Sequence, residues 1–141
     1  MIAYFDASAL VPLLIREPGT SRAQRLWNAA DARVSSRLGY VEAAAALARR
    51  ADRLAGAPAH QRQDAMELLD RVWDGLDVVN VVEALVREAA GIARQWGLGA
   101  HDAMHCASAR HFAGEEVVVV SGSRDLLVAC RGLGMATAAL C

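Results

Sequence analysis

Apolar and polar positions alternate along the chain in blocks whose periods change from strand to helix and back. Ile2 to Phe5 is a short apolar run that reads as a buried strand closed by Asp6, and Ala7-Ser8-Ala9-Leu10 opens a helix. Pro12 is expected within the first helical turn or so, where a missing N–H is tolerated, and Glu17-Pro18-Gly19 stops the helix. A second helix is predicted from Thr20 to Ala30, with Ala23, Leu26, Trp27 and Ala30 on one face. Arg33 to Ser36 forms a short strand. Leu38 to Leu54 then reads as a long helix whose core stripe is Leu38, Val41, Ala45, Ala48 and Ala51. Ala55-Gly56-Ala57-Pro58 breaks it, and a helix from His60 to Asp74 follows, apolar at Ala65, Leu68, Leu69, Val72 and Trp73, with His60 itself exposed.

The second half repeats the alternation. Asp77 to Val81 is a strand and Glu83 to Trp96 a helix, apolar at Ala84, Leu85, Ala89, Ile92, Ala93 and Trp96. Gly97 and Gly99 lead into a helix from about Ala100 to Ala113. Val117 to Val120 is four consecutive valines, a β-branched run without alternation, as in an interior strand of a parallel sheet buried on both faces. A short helix from Leu126 to Arg131 and a strand around Ala136 to Leu140 close the chain. Strands separated by helices throughout predict one three-layer α/β/α domain over residues 1–141, with a mainly parallel central sheet.

Composition removes several classes of function. There is no lysine, which excludes a P-loop lysine and a Schiff-base lysine. No Gly-x-Ser-x-Gly elbow occurs, which counts against a serine hydrolase. Cys106, Cys130 and Cys141 are widely spaced, with no Cys-x-x-Cys, as expected of apolar packing in a reducing compartment and not of a disulfide framework. The start lacks a basic segment, and the apolar run from Ala7 to Ile15 is too short to span a bilayer, so the expected location is the cytoplasm. The net charge of −1 announces no general affinity for nucleic acid.

The candidate chemistry lies in four acids. Asp6 and Asp125 follow strands, Asp102 opens a helix after a Gly-rich turn, and Glu42 lies early in its helix. Right-handed crossovers bring the carboxyl ends of parallel strands to one edge, where open α/β sheets bind ligands. Each acid also has a structural reading. Asp6 or Ser8 can cap a helix, Glu42 can sit on the flank of its stripe paired with Arg49 or another neighbour, and Asp102 and Asp125 can answer a helix dipole. Gathered together, the carboxylates need cations. Hard oxygen ligands without thiolate favour Mg²⁺, or Mn²⁺ in its place, and suit phosphodiester hydrolysis. Neutralising the four acids would leave the rest of the chain mildly basic. His101 and His105 stand four apart but lack an H-E-x-x-H arrangement, so His105 is read as packing or supporting Asp102. Ser8, Ser121 and Ser123 could support the site or serve as caps and turns.

Four segments in order resemble a PIN-domain ribonuclease, the toxin component (VapC-type) of a VapBC toxin–antitoxin system. They are Tyr4 to Leu10, Ser36 to Glu42, Leu98 to His105 and Val120 to Leu127. The resemblance implies a Mg²⁺-dependent endoribonuclease acting on single-stranded regions of RNA, tRNA among them. It implies a homodimer and a small antitoxin whose tail blocks the acidic pocket. Asp6 and Asp102 would be the main metal ligands, with Glu42 completing the acidic site. Trp27, Trp73 or the Leu68-Leu69-Val72 face could meet partners, or could pack the core. The family's fourth acid falls two residues after the serine ending the fourth strand, which here is Ser123; the nearest acid is Asp125. Either Asp125 swings in, or Ser123 binds water or metal weakly, or the site works with three acids. The alternative function is a catalytically weakened binding module on the same fold that sequesters RNA or a protein. A small Mg²⁺-dependent phosphatase is a third option, disfavoured by the missing lysine and the lack of a second acid beside Asp6.

Overall fold

The structure, a computed structural model, describes residues 1–53 and 59–140, and only the backbone of 51–53 and 59–62. The expected helix break at 55–58, the exposure of His60 and the packing of Cys141 lie outside the described residues. The elements are β1 (Ile2–Phe5), α1 (Ala7–Leu14), α2 (Thr20–Ala29), β2 (Ala32–Ser36), α3 (Leu38–Arg53) and α4 (Ala59–Asp74). They continue with β3 (Asp77–Val79), α5 (Glu83–Trp96), α6 (Ala100–Arg110), β4 (Val117–Ser121), α7 (Arg124–Gly132) and β5 (Ala136–Ala139). The five strands form one sheet in the order β3-β2-β1-β4-β5, with every neighbouring pair parallel.

Alternation along β1 and β4 divides the core into two layers. Ala3 and Phe5 of β1 and Val120 of β4 pack with α1 to α4, around Leu10, Val11, Leu47 and Leu69. Tyr4 of β1 and Val117 and Val119 of β4 pack on the other face with α5 to α7, around Leu85, Ile92, Leu126 and Cys130. Val119 and Val120 are both fully buried, one under each helical layer, which is why the valine run shows no polar face. Each such side chain is worth about 1.5–3 kcal/mol of burial. Trp27 and Trp73 pack against the first layer, edge-on to Phe5 and Tyr40, and Leu69 is buried there, so the expected partner face is largely core. Cys106 and Cys130 are buried thiols, as expected.

Three expectations are corrected. On α3 the buried positions are Gly39, Ala43, Ala46 and Leu47, while Val41 is 60% exposed and Ala45 and Ala48 face outward, so the core stripe lies on the opposite side from the one expected. An Ala-rich helix is apolar on several faces, so spacing alone does not choose among them. The third strand pairs only at Asp77–Val79, because β2 offers partners no further than Ser36. Pro12 falls in the second turn of α1, where it removes one intrahelical bond, and the helix ends two residues later.

The topology locates the binding edge. The chain steps outward from β1 to β2 to β3 through α1 to α4, then returns to the far side of β1 through α5 and α6. Strand order therefore reverses between β1 and β4, and at such a switch point the helices diverge and leave a crevice at the carboxyl ends of the strands.

Candidate metal centre

Asp6 stands at that crevice, immediately after β1. It serves as the N-cap of α1, and its Oδ1 accepts from the Ala9 N–H at 3.0 Å and from the Ser8 hydroxyl at 2.6 Å. Its Oδ2 accepts from the Ser121 hydroxyl at 2.6 Å, across the β1–β4 boundary. The residue is 3% exposed. Burial pushes its carboxyl upward, opposed by the charge of His105 and by the three donors. The capping and functional readings of Asp6 are thus compatible: the cap fixes a carboxylate that would otherwise rotate.

The opposite wall comes from α6. Gly97 ends α5 in the left-handed conformation (φ 67°), a position that favours glycine, and Gly99 turns the chain into α6. Asp102 lies in the first turn, where a carboxylate complements the helix dipole. One turn on, His105 is 2% exposed and links two layers: its ring meets the Tyr4 hydroxyl through Nδ1 at 2.7 Å and Glu42 Oε1 through Nε2 at 2.6 Å. An ionised carboxylate only accepts, so Nε2 carries the proton. Glu42 also meets His101 at 3.1 Å. Burial works against ionisation of Glu42, but the hydrogen bonds and charges of His105 and His101 outweigh it and hold the carboxyl below its ordinary range. Burial likewise works against the His105 cation. The Glu42 bond and the charges of Asp6, Glu42 and Asp102 overcome it and raise the imidazole above its ordinary value. His105 therefore supports Glu42 directly and touches Asp102 only through its field, which corrects the expected hydrogen bond. Glu42 is paired with the two histidines and not with Arg49.

The β4–α7 turn closes the third side. Ser121 donates to Asp6, and the Ser123 N–H donates to the Ser121 hydroxyl at 2.9 Å. The Ser123 hydroxyl donates to Asp102 Oδ2 at 2.8 Å and caps α7 by accepting from the Leu126 N–H. The Gly122 N–H donates to Ser8 at 2.8 Å. One chain of bonds thus runs from Asp6 through Ser121 and Ser123 to Asp102. Asp125 is exposed in the first turn of α7 and makes no hydrogen bond or ion pair among the described residues.

The model matching a PIN domain covers residues 3–125. This chain belongs to the PIN-domain family. Ribonuclease VapC45 of Mycobacterium tuberculosis (strain CDC 1551 / Oshkosh) is 36% identical over 133 residues, 94% of this chain and 92% of that protein. Ribonuclease VapC47 of the same strain is 35% identical over 143 residues, 96% of this chain and 94% of that protein. Both relatives place the chain among VapC-type PIN ribonucleases. Among solved structures, PAE2754 from Pyrobaculum aerophilum has a TM-score of 0.67 at 25% identity, covering 97% of this chain and 83% of that one. FitAcB from Neisseria gonorrhoeae, at 15% identity, shares the fold with a TM-score of 0.72, covering 99% and 98%.

In this PIN domain the donor chemistry suits a hard cation. Asp6 is buried and its hydrogen-bond partners are all neutral, so its charge lacks a bonded counter-ion. Asp102 and the Ser121 and Ser123 hydroxyls add further oxygen donors. Among the described residues no three His, Cys, Asp or Glu side chains converge closely enough to hold a metal ion. Sequence reasoning missed the Tyr4–His105–Glu42 chain. Its one sequence signal is Tyr4, the single hydroxyl-bearing residue of an otherwise apolar strand, which must find a partner once buried. No described helix is long and apolar enough to cross a membrane.

Proposed function

We propose that the chain is an endoribonuclease toxin of a VapBC-type pair that hydrolyses RNA phosphodiester bonds with a divalent cation, Mg²⁺ or Mn²⁺ in its place. The observation that carries this reading is the connected pair Asp6 and Asp102 at the switch point, joined through Ser121 and Ser123. Asp6 and Asp102 would hold the cation, which when bound supplies an acidified water and offsets charge on the phosphoryl oxygens. Glu42, oriented by His105, would complete the acidic site and help position the attacking water, whose proton passes to solvent. The water oxygen adds to phosphorus as one P–O ester bond breaks, and the leaving oxygen takes a proton from solvent. Asp125, exposed in the first turn of α7, would add only a weaker outer contact. The family likeness further supports a homodimer, a small antitoxin occupying the acidic mouth, action in the cytoplasm, and structured RNAs such as tRNA as substrates.

The test is cleavage of tRNA and total RNA by purified, antitoxin-free protein in Mg²⁺ and in EDTA, beside Asp6→Ala and Asp102→Ala. Discrete fragments that require Mg²⁺, and a loss of at least about 100-fold in each variant, are expected; removing one electrostatic stabiliser commonly costs that much. A binding-only module is the second reading, favoured by a neutral hydroxyl at Ser123 where a carboxylate would strengthen the site. RNA binding without cleavage by folded protein would establish it, and Ser123→Asp would then be expected to restore activity.

A further inference from the structure

RNA must approach three carboxylates on a chain whose net charge is −1, so the attraction has to be local. The carboxyl edge of the sheet supplies it on both sides of Asp6. On one side, β2 is in parallel register with β1, Tyr4 facing Val34, so Ser36 lies level with Asp6 on a strand about 4.8 Å away. Arg37 follows it directly. Its backbone N–H is tied to Val79 O, and its guanidinium donates through Nε and Nη2 to Asn80 Oδ1, at 3.2 and 2.9 Å. A neutral amide thus holds the fork in place without cancelling its charge. On the other side, β4 brings Ser121 level with Asp6, and Arg124 follows the turn as the first residue of α7, exposed. Neither arginine joins an ion pair among the described residues.

We propose that Arg37, positioned by Asn80, and Arg124 bind the phosphates on either side of the one presented to Asp6. A single RNA strand then crosses the sheet edge from β2 over β1 to β4. The spacing explains why both cations follow the strands flanking β1: a linear polyanion drawn to either arginine passes the carboxylates to reach the other. Guanidinium also matches phosphate oxygens in a two-point fork, which Asn80 leaves available because it uses only Nε and Nη2. The proposal rests on the ribonuclease reading for its orientation, but its test needs no cleavage.

The experiment measures anisotropy of a fluorescein-labelled twelve-nucleotide oligouridylate in an Asp6→Asn background, at NaCl concentrations spanning about 50–200 mM, the range over which phosphate contacts dominate affinity. Arg37→Ala and Arg124→Ala are each expected to weaken binding several-fold and to flatten the log–log salt slope by about 0.7, the value for one single-strand phosphate contact. Asn80→Asp keeps Arg37 but pairs its charge, and should weaken binding as Arg37→Ala does. Arg37→Lys should restore most of the slope and only part of the affinity. Arg131, in the last turn of α7 and bonded to Thr137, is the control, and Arg131→Ala should leave both unchanged. Unchanged affinity and slope in Arg37→Ala and Arg124→Ala would overturn the track, as would an equal loss in Arg131→Ala or no binding even at the lowest salt. Wild-type cleavage is scored separately. A cleaving protein with arginine-independent binding refutes the track alone, and arginine-dependent binding without cleavage refutes the nuclease alone.

Discussion

At Asp6 the fold holds a charge where burial opposes it, and the direction of its shift has a measurable consequence. A carboxyl raised above its ordinary value costs stability as pH climbs through the folded pKa. In metal-free protein at neutral pH, Asp6→Asn is therefore expected to be more stable than wild type, by roughly 0.5–2 kcal/mol, the common scale of a single stabilising substitution. Urea unfolding in EDTA checks this, and a destabilised variant would mean that the three neutral donors already compensate the charge. Glu42 and His105 shift in opposite senses. Glu42, depressed, contributes stability above its ordinary range that is lost as pH falls through the folded value. His105, raised, contributes below about 6.5, its ordinary value, and the contribution is lost as pH rises through the higher folded value. Metal-free stability should therefore carry a mildly acidic maximum that Glu42→Gln flattens, read by denaturation across pH. An unaltered profile in that variant would remove the pair from the account. Asp6 and Glu42 were legible as site candidates because one follows a strand and the other lies early in a helix that starts at the same edge of the sheet. That the partner of Glu42 is His105, with Tyr4 behind it, was not legible, since 63 and 101 residues separate these bonded pairs.

Between elements, close approach decides what a side chain is worth. A Cβ at Gly132 would lie 2.0 Å from the Trp96 ring, so the end of α7 can meet α5 only through glycine. Gly132→Ala is expected to cost about 1–3 kcal/mol, the range for overpacking, and to lower the melting temperature by several degrees. A thermal scan measures it, and Gly91→Ala, whose added Cβ meets nothing within 4 Å, serves as the control. Most helix and strand positions followed from local hydrophobic pattern and β-branched runs, and α4, α5, β4 and α7 also end at a glycine. The buried side of α3 did not follow. Gly39, Ala43, Ala46 and Leu47 recur at the same three- and four-residue spacing as Leu38, Val41, Ala45 and Ala48, and the smaller set turns inward, where α3 packs against α1 and α4. Ser35 Oγ would stand 2.7 Å from a Cβ at Gly39, so that approach admits no larger residue without a shift.

Across the whole molecule the binding edge is a product of strand order, and ligand linkage should report it. A cation that binds only the folded chain stabilises it by about 2.7 kcal/mol at a hundred times its dissociation constant. Mg²⁺ is expected to raise the melting temperature of wild type and leave Asp6→Ala unmoved in scans with and without EDTA; an equal rise in both would place the ion elsewhere. The local code of this chain determined which stretches form strands and which form helices, the valine-rich interior strand, and which acids follow strands, because each depends on neighbours within a turn or two. Family likeness was readable for the same reason, being carried by four short segments. Strand order, the face α3 turns inward, the Tyr4–His105–Glu42 chain and the seating of Ser123 against Asp102 were decided only by tertiary structure. Each depends on which distant segments pack side by side, and that competition is settled by burial over the whole core, where many near-equivalent apolar faces compete and no local pattern distinguishes them.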